Sequence, residues 1–184
     1  MRVPCPARAD TCYPYGDPRI IAGTGTCALE LAQDAGPLDT VVVPVGGGAC
    51  CRARRSRCGR YRPRRRIVGV ELEASPDVQQ SLLAGRRVTV PISPSIAEGQ
   101  LLDTPGGATF GVIASLVDEI VTVADAEILD AVRLLFERAK LVVEPSGGSA
   151  VAAVLAGRLR GDPLGIVLSG LNISAERFAE LIGP

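Results

Sequence analysis

Three consecutive glycines close an apolar run in Thr40-Val41-Val42-Val43-Pro44-Val45-Gly46-Gly47-Gly48-Ala49. Glycines at such a point let successive backbone N–H groups converge on an anion, with no Cβ in the way. At the carboxyl edge of a parallel sheet this arrangement cradles phosphate. A tight strand-to-helix turn without a ligand is the plainer reading of the same residues. Ser169-Gly170 ends a second apolar run, Gly165–Leu168. Groups for acid–base and covalent chemistry are scarce. The chain has no His, and its one lysine is Lys140. Its cysteines (Cys5, Cys12, Cys27, Cys50, Cys51 and Cys58) contain no C-x-x-C pair. Without His they make a poor zinc set, and they read as reduced thiols in a cytoplasmic chain.

The elements that must position these residues follow from the pattern of apolar runs. Residues 1–18 are rich in Pro, Cys and Arg and read as an irregular lead-in; residues 19–184 read as the folded part. Cys27–Ala32 has helical spacing, with Thr24 or Thr26 as its cap and Gly36-Pro37 as its end. Val41–Val45 and Ile67–Glu71 are short, β-branched and buried in character. Ser75-Pro76-Asp77 opens a helix that Ala84-Gly85 closes. Residues 88–106 are loop-rich, Phe110–Leu116 is helical and Glu119–Val123 is a strand. Ile128, Val132, Leu135 and Phe136 share the face of a helix capped at Ala124-Asp125. Leu141–Val143 is an apolar run ended by Gly147-Gly148, and a small-residue helix spans 149–159. Gly165–Ser169 is a further short strand, and Ala175–Ile182 is the last helix. Strands alternating with helices imply an α/β, three-layer sandwich on a mainly parallel sheet. At 47% apolar residues, 184 residues suffice for one real core. No apolar run reaches the roughly 18–20 residues that a membrane span needs, and the first residues lack a signal-peptide core.

Residues 50–66 break the pattern. Nine of the nineteen arginines lie between Arg52 and Arg66, where a crossover helix with an apolar stripe belongs. Such a run can neutralise nucleic-acid phosphates, although Tyr61 is its only aromatic. It also reads as a stretch out of frame with its neighbours, because it breaks the agreement between local and global pattern.

Six segments, in order, carry a resemblance. They are Tyr13–Thr26, Val41–Gly48, Ile67–Glu71, Ile96-Ala-Glu98-Gly99, Lys140–Gly147 with its Leu-Val-Val-Glu-Pro-Ser core, and Val167-Leu-Ser169-Gly-Leu-Asn172. Together they resemble the threonine dehydratase and serine racemase group of pyridoxal-phosphate enzymes, with a tryptophan-synthase-β-like fold, from about Tyr13 onward.

The resemblance implies a part of that fold and its cofactor, pyridoxal 5'-phosphate. Backbone N–H groups of Gly46, Gly47, Gly48 and Ala49 hold the phosphate; Ala49 stands where the family usually has a fourth glycine. Ser169 bonds the pyridine nitrogen, or caps a helix; Leu171 replaces a family glycine beside it. Gly99 lets the chain pass close to the ring, and Glu144 pins the nearby loop. Glu71 and Asp77, with a carbonyl near Ser75, resemble a Mg²⁺ or Ca²⁺ site, or are simply a strand-end and a helix-start acid. No catalytic residue is assigned, because the family's Schiff-base lysine motif is absent and Lys140 matches a structural position. The implied activity is L-threonine or L-serine dehydration to a 2-oxo acid and ammonia. A chain without that lysine is expected to be the C-terminal part of such an enzyme and to turn over little or nothing. The other readings are a non-catalytic cofactor- or phosphate-binding fragment and a basic nucleic-acid-binding module through Arg52–Arg66. Expected partners are a small amino-acid substrate and a second copy, or another chain, on an exposed apolar face. No membrane is expected.

Overall fold

A computed structural model describes residues 17–46 and 66–183. Four parallel strands form its sheet in the order β3-β2-β1-β4. They are β1 (Thr40–Pro44), β2 (Arg66–Leu72), β3 (Glu119–Val123) and β4 (Leu164–Ile166). Val41 lies beside Ile67 on one side and Gly165 on the other, which sets the register. The helices are α1 (Pro18–Asp34), α2 (Asp77–Ala84), α3 (Gly107–Leu116), α4 (Asp125–Leu134), α5 (Pro145–Leu155) and α6 (Ala175–Ile182).

The two-residue period of β1 sorts the core into two halves. Val41, Val43 and Val45 join Val78 of α2 and Ile113 of α3, with Leu31 of α1 packed against them. Val42 faces the other way, among Ile128 and Val132 of α4, Ala150 and Val151 of α5, and Phe178 of α6. All of β1 is buried, as a central strand covered on both faces must be. The result is the three-layer α/β sandwich that the sequence implies.

Two helix starts depart from expectation. Helix α1 starts at Pro18, not near Cys27. Asp17 caps it, its carboxylate accepting the Arg19 N–H at 2.8 Å, and proline at the first helical position costs no hydrogen bond. Thr24 and Thr26 do not cap. Their hydroxyls donate back to the Ile20 and Gly23 carbonyls at 3.0 and 2.8 Å inside the helix. Helix α5 starts at Pro145 and so takes in Ser146, Gly147 and Gly148, which the sequence places before the helix. Leu141–Val143 pairs with no strand among the described residues. Helix α4 continues as one wide turn over Leu135–Ala139 and ends at Lys140, which has φ 59°.

Candidate cofactor site

Parallel sheets place their strand ends, and whatever follows them, along one edge. Here β1 runs through Val45 to Gly46, where the described residues stop until Arg66. Gly47, Gly48 and Ala49, assigned above to the phosphate, lie outside the described residues, as does most of the arginine-rich segment 50–66. Arg66 belongs to β2 and pairs with Glu119.

Close approaches tie Gly46 to the other sequence-predicted residues. A Cβ on Gly46 would stand 3.0 Å from the Gly99 carbonyl oxygen and 3.2 Å from Gln100 Cα. A Cβ on Gly99 would stand 2.9 Å from Ser146 Oγ, at the start of α5. One residue on, a Cβ on Gly147 would overlap the Ser169 carbonyl. Gly170, at φ +82°, brings its Cα against the Glu144 carboxylate. Gly46, Gly99, the first turn of α5 and Ser169-Gly170 therefore form one continuous backbone lining at the carboxyl edge of the sheet. A cleft beside it is lined by Glu98, Gly99, Glu144, Ser146, Asn172 and Arg177, among others.

Glu144 is the hinge of this lining. Its carbonyl accepts the N–H groups of Gly147 and Gly148 at 2.9 and 3.1 Å, and its own N–H donates to the Gly170 carbonyl at 3.4 Å. These backbone bonds join the start of α5 to Gly170. Lys140 lies apart from such chemistry. It is exposed, and its Nζ donates to the Glu137 carbonyl at 2.8 Å, closing the helix behind it.

Two residues at the edge carry polar groups that sequence reasoning missed or read differently. Gln100 lies in a short 3₁₀ turn, Glu98–Gln100, and is buried. Its Nε2 donates to the carbonyls of Val45 and Val70 at 3.0 and 2.9 Å. Nothing in the sequence marks it; it is one polar residue in a loop-rich stretch. Glu71 is fully enclosed, and its two carboxylate oxygens accept the N–H groups of Val78 and Gln79, each at 2.8 Å, in the first turn of α2. Its carboxyl also contacts that of Asp77, whose Oδ2 is buried with no hydrogen-bond partner among the described residues. Among the described residues, no group of three or more His, Cys, Asp or Glu side chains is arranged to hold a metal.

Burial pushes Glu71 up from 4.5 to about 8, helped by Asp77 and opposed by the two α2 N–H groups. Burial likewise pushes Asp77 up from 3.8 to about 6, with Asp103 adding to the rise. Both groups bind protons more tightly folded than unfolded. Between the ordinary and the raised values the folded chain holds protons that the unfolded chain has lost. The pair's contribution to stability is thus fully present below about pH 4 and declines as pH rises toward 8. Asp77→Asn removes one of the two charges and is expected to flatten that decline. Thermal melts in a chelator between pH 5 and 8.5 will show this as a smaller drop in Tm than in the unaltered chain.

Comparison with known proteins supports the same family as the six segments. The family described as "Pyridoxal-phosphate dependent enzyme" matches residues 11–170. A serine racemase from Arabidopsis thaliana is 39% identical over 168 residues, covering 88% of this chain and 50% of that protein. An L-threonine ammonia-lyase from Thermotoga maritima is 38% identical over 171 residues, covering 92% of this chain and 43% of that protein. The solved structure of maize serine racemase superposes with a TM-score of 0.81 at 32% identity, covering 89% of this chain and 52% of that one. The chain thus spans about half the length of the curated relatives it matches. With its parallel sheet, its glycine-lined edge and a family match from residue 11 to residue 170, the chain belongs to the pyridoxal-phosphate dependent enzymes.

Proposed function

We propose that this chain supplies the cofactor-seating surface of an enzyme that dehydrates L-threonine or L-serine. The observation that carries this reading is the continuous lining from Gly46 through Gly99 and Ser146–Gly147 to Ser169–Gly170. Gly46 and Gly99 let the chain pack closely on itself, where a Cβ would meet Gly99, Gln100 and Ser146, and a cleft opens beside them at Gly99, Glu144 and Ser146. Glycines at such an edge leave backbone N–H groups open to an anion, and this supports a fit to the family's cofactor. Gly46, Gly47, Gly48 and Ala49 hold the phosphate through backbone N–H groups. The Ser169 hydroxyl faces the pyridine nitrogen, and Gly99 gives the ring its close backbone wall. Bound there, the cofactor supplies an electron sink for loss of the β-hydroxyl. A neutral Ser169 partner leaves the ring nitrogen largely unprotonated and moderates that sink. Glu144 keeps Ser169 and Gly170 in place.

The covalent step needs an amine, and Lys140 is held elsewhere, against Glu137. These 184 residues accordingly bind the cofactor without substantial turnover. The chain has no Trp, so the cofactor's own emission can be followed with little protein background. Saturable binding of pyridoxal 5'-phosphate, with no 2-oxobutanoate formed from L-threonine, is the expected result. The absence of binding overturns the seating, and substantial 2-oxobutanoate overturns the claim about the amine.

Two further assignments accompany this reading. The Glu71–Asp77 pair takes Mg²⁺ or Ca²⁺: Asp77 Oδ2 is buried with no hydrogen-bond partner among the described residues, and carboxylate oxygens are the ligands that hard cations take. A rise in Tm with either cation at pH 8, lost in Asp77→Asn, is the expected result. The exposed apolar residues Leu141, Val142, Leu168 and Leu171, on the segments that meet at Glu144 and Gly170, are the face for a second copy or for another chain. Concentration-dependent association by sedimentation tests this.

A further inference from the structure

Gln100 is buried at 4% exposure, and its amide is only half used by the protein. Both Nε2 hydrogens are committed, one to Val45 and one to Val70. This fixes the amide's orientation, because a flipped oxygen would face two carbonyls. Gln100 Oε1 is then left buried with no partner among the described residues. Native proteins rarely leave such a group without a reason.

The two Nε2 hydrogen bonds form a clamp, and its place shows what the amide holds. Val70 already accepts the Val45 N–H at 2.8 Å, so Gln100 closes the last rung between β1 and β2. Gly46 follows directly, with Gln100 Cα and Cγ at 3.2 and 3.6 Å from the position of a Gly46 Cβ. One side chain thus fixes where β1 ends and forms the wall against which the glycine turn begins. Removing it takes the side-chain donor from the Val45 carbonyl, leaves the Val70 carbonyl with the Val45 N–H alone, and frees the strand end to shift.

We propose that Gln100 is a positioning residue for phosphate recognition, holding the end of β1 so that the site favours the phosphate ester of pyridoxal over pyridoxal itself. This rests on the reading that Gly46 opens the phosphate cradle. A residue that merely stabilised the fold would change the affinity for both ligands alike. The clamp holds Val45, the residue before Gly46, so on that reading it acts on their ratio.

The test is to measure Kd for pyridoxal 5'-phosphate and for pyridoxal with the unaltered chain and with Gln100→Met. Gln100→Met keeps the bulk and loses both donors. The unaltered chain is expected to prefer the phosphate ester, and Gln100→Met to reduce that preference about ten-fold, the scale of a lost buried hydrogen-bond partner, with pyridoxal binding unchanged. A preference that survives in folded Gln100→Met overturns the clamp alone. No preference in the unaltered chain overturns the phosphate reading, and the clamp with it. Should Gln100→Met fail to fold, the side-chain amide resonances of Gln100 in the unaltered chain decide. They are expected to move on titration with inorganic phosphate and to stay still with pyridoxal. If phosphate leaves them unmoved, the proposal fails.

Discussion

Gly147→Ala is expected to abolish cofactor retention and to cost the fold about 3 kcal/mol or more, at the upper end of what overpacking does. The new methyl would overlap the Ser169 carbonyl, with the Ser169 carbonyl carbon 2.6 Å away and Val143 Cγ1 2.8 Å away. Two of these neighbours are backbone atoms. The third belongs to a buried valine. Gly147 also donates its N–H to the Glu144 carbonyl at 2.9 Å, so it cannot back away without undoing the first turn of α5. The element that yields is the 169–170 segment, which carries the hydroxyl assigned to the pyridine nitrogen. Urea melts and cofactor anisotropy on Gly147→Ala together measure both losses. Unchanged stability and unchanged binding in that variant would show that α5 and Ser169 are not in contact.

Gly46→Val is expected to cost both binding and stability. A branched side chain there meets the Gly99 carbonyl and Gln100 Cα, and Gln100 is the residue whose amide closes the last rung between β1 and β2. Affinity for pyridoxal 5'-phosphate is expected to fall about 100-fold, equivalent to roughly 2.7 kcal/mol, and the urea midpoint is expected to fall with it. Equilibrium dialysis and urea melts read the two quantities independently. Retained affinity in Gly46→Val removes this glycine from the cradle.

The layers of the fold were legible because β1, β2 and β3 are short β-branched runs set between amphipathic helices. Val41–Val45 carries that signal most fully, and its alternation divides the core as the two-residue period requires. Two helix starts were misplaced although the cues were present. Asp17-Pro18 and Glu144-Pro145 each place an acid before a proline at the first helical position. Gly23, Gly25, Gly147 and Gly148 concealed them, since glycine inside a helix costs about 1 kcal/mol and ordinarily marks a break. In α5 the small residues are needed for close packing, as the contact with Ser169 makes plain.

The candidate site is legible in the sequence as residues and not as a surface. Gly46, Gly99, Glu144 and Ser169 each occupy a recognisable segment, but only the fold brings them into one lining. Gln100 could not have been found from sequence, because a polar side chain becomes a clamp only once two strand ends pass over it. The Glu71–Asp77 pair was visible as two acids near one another in sequence. That Glu71 also holds down the start of α2 through two N–H groups was not.

The strand order β3-β2-β1-β4 also governs the order in which the chain can fold. Strand β1 ends at Pro44, yet one of its two neighbours, β4, begins only at Leu164. A central strand is therefore emitted from the ribosome with one flank unsatisfied until Leu164 has been made. Closing so long a loop is entropically costly, and contacts of such separation slow folding. During that interval the open flank of Thr40–Pro44, rich in valine, can pair with any other extended chain, so nascent copies face aggregation before β4 is available.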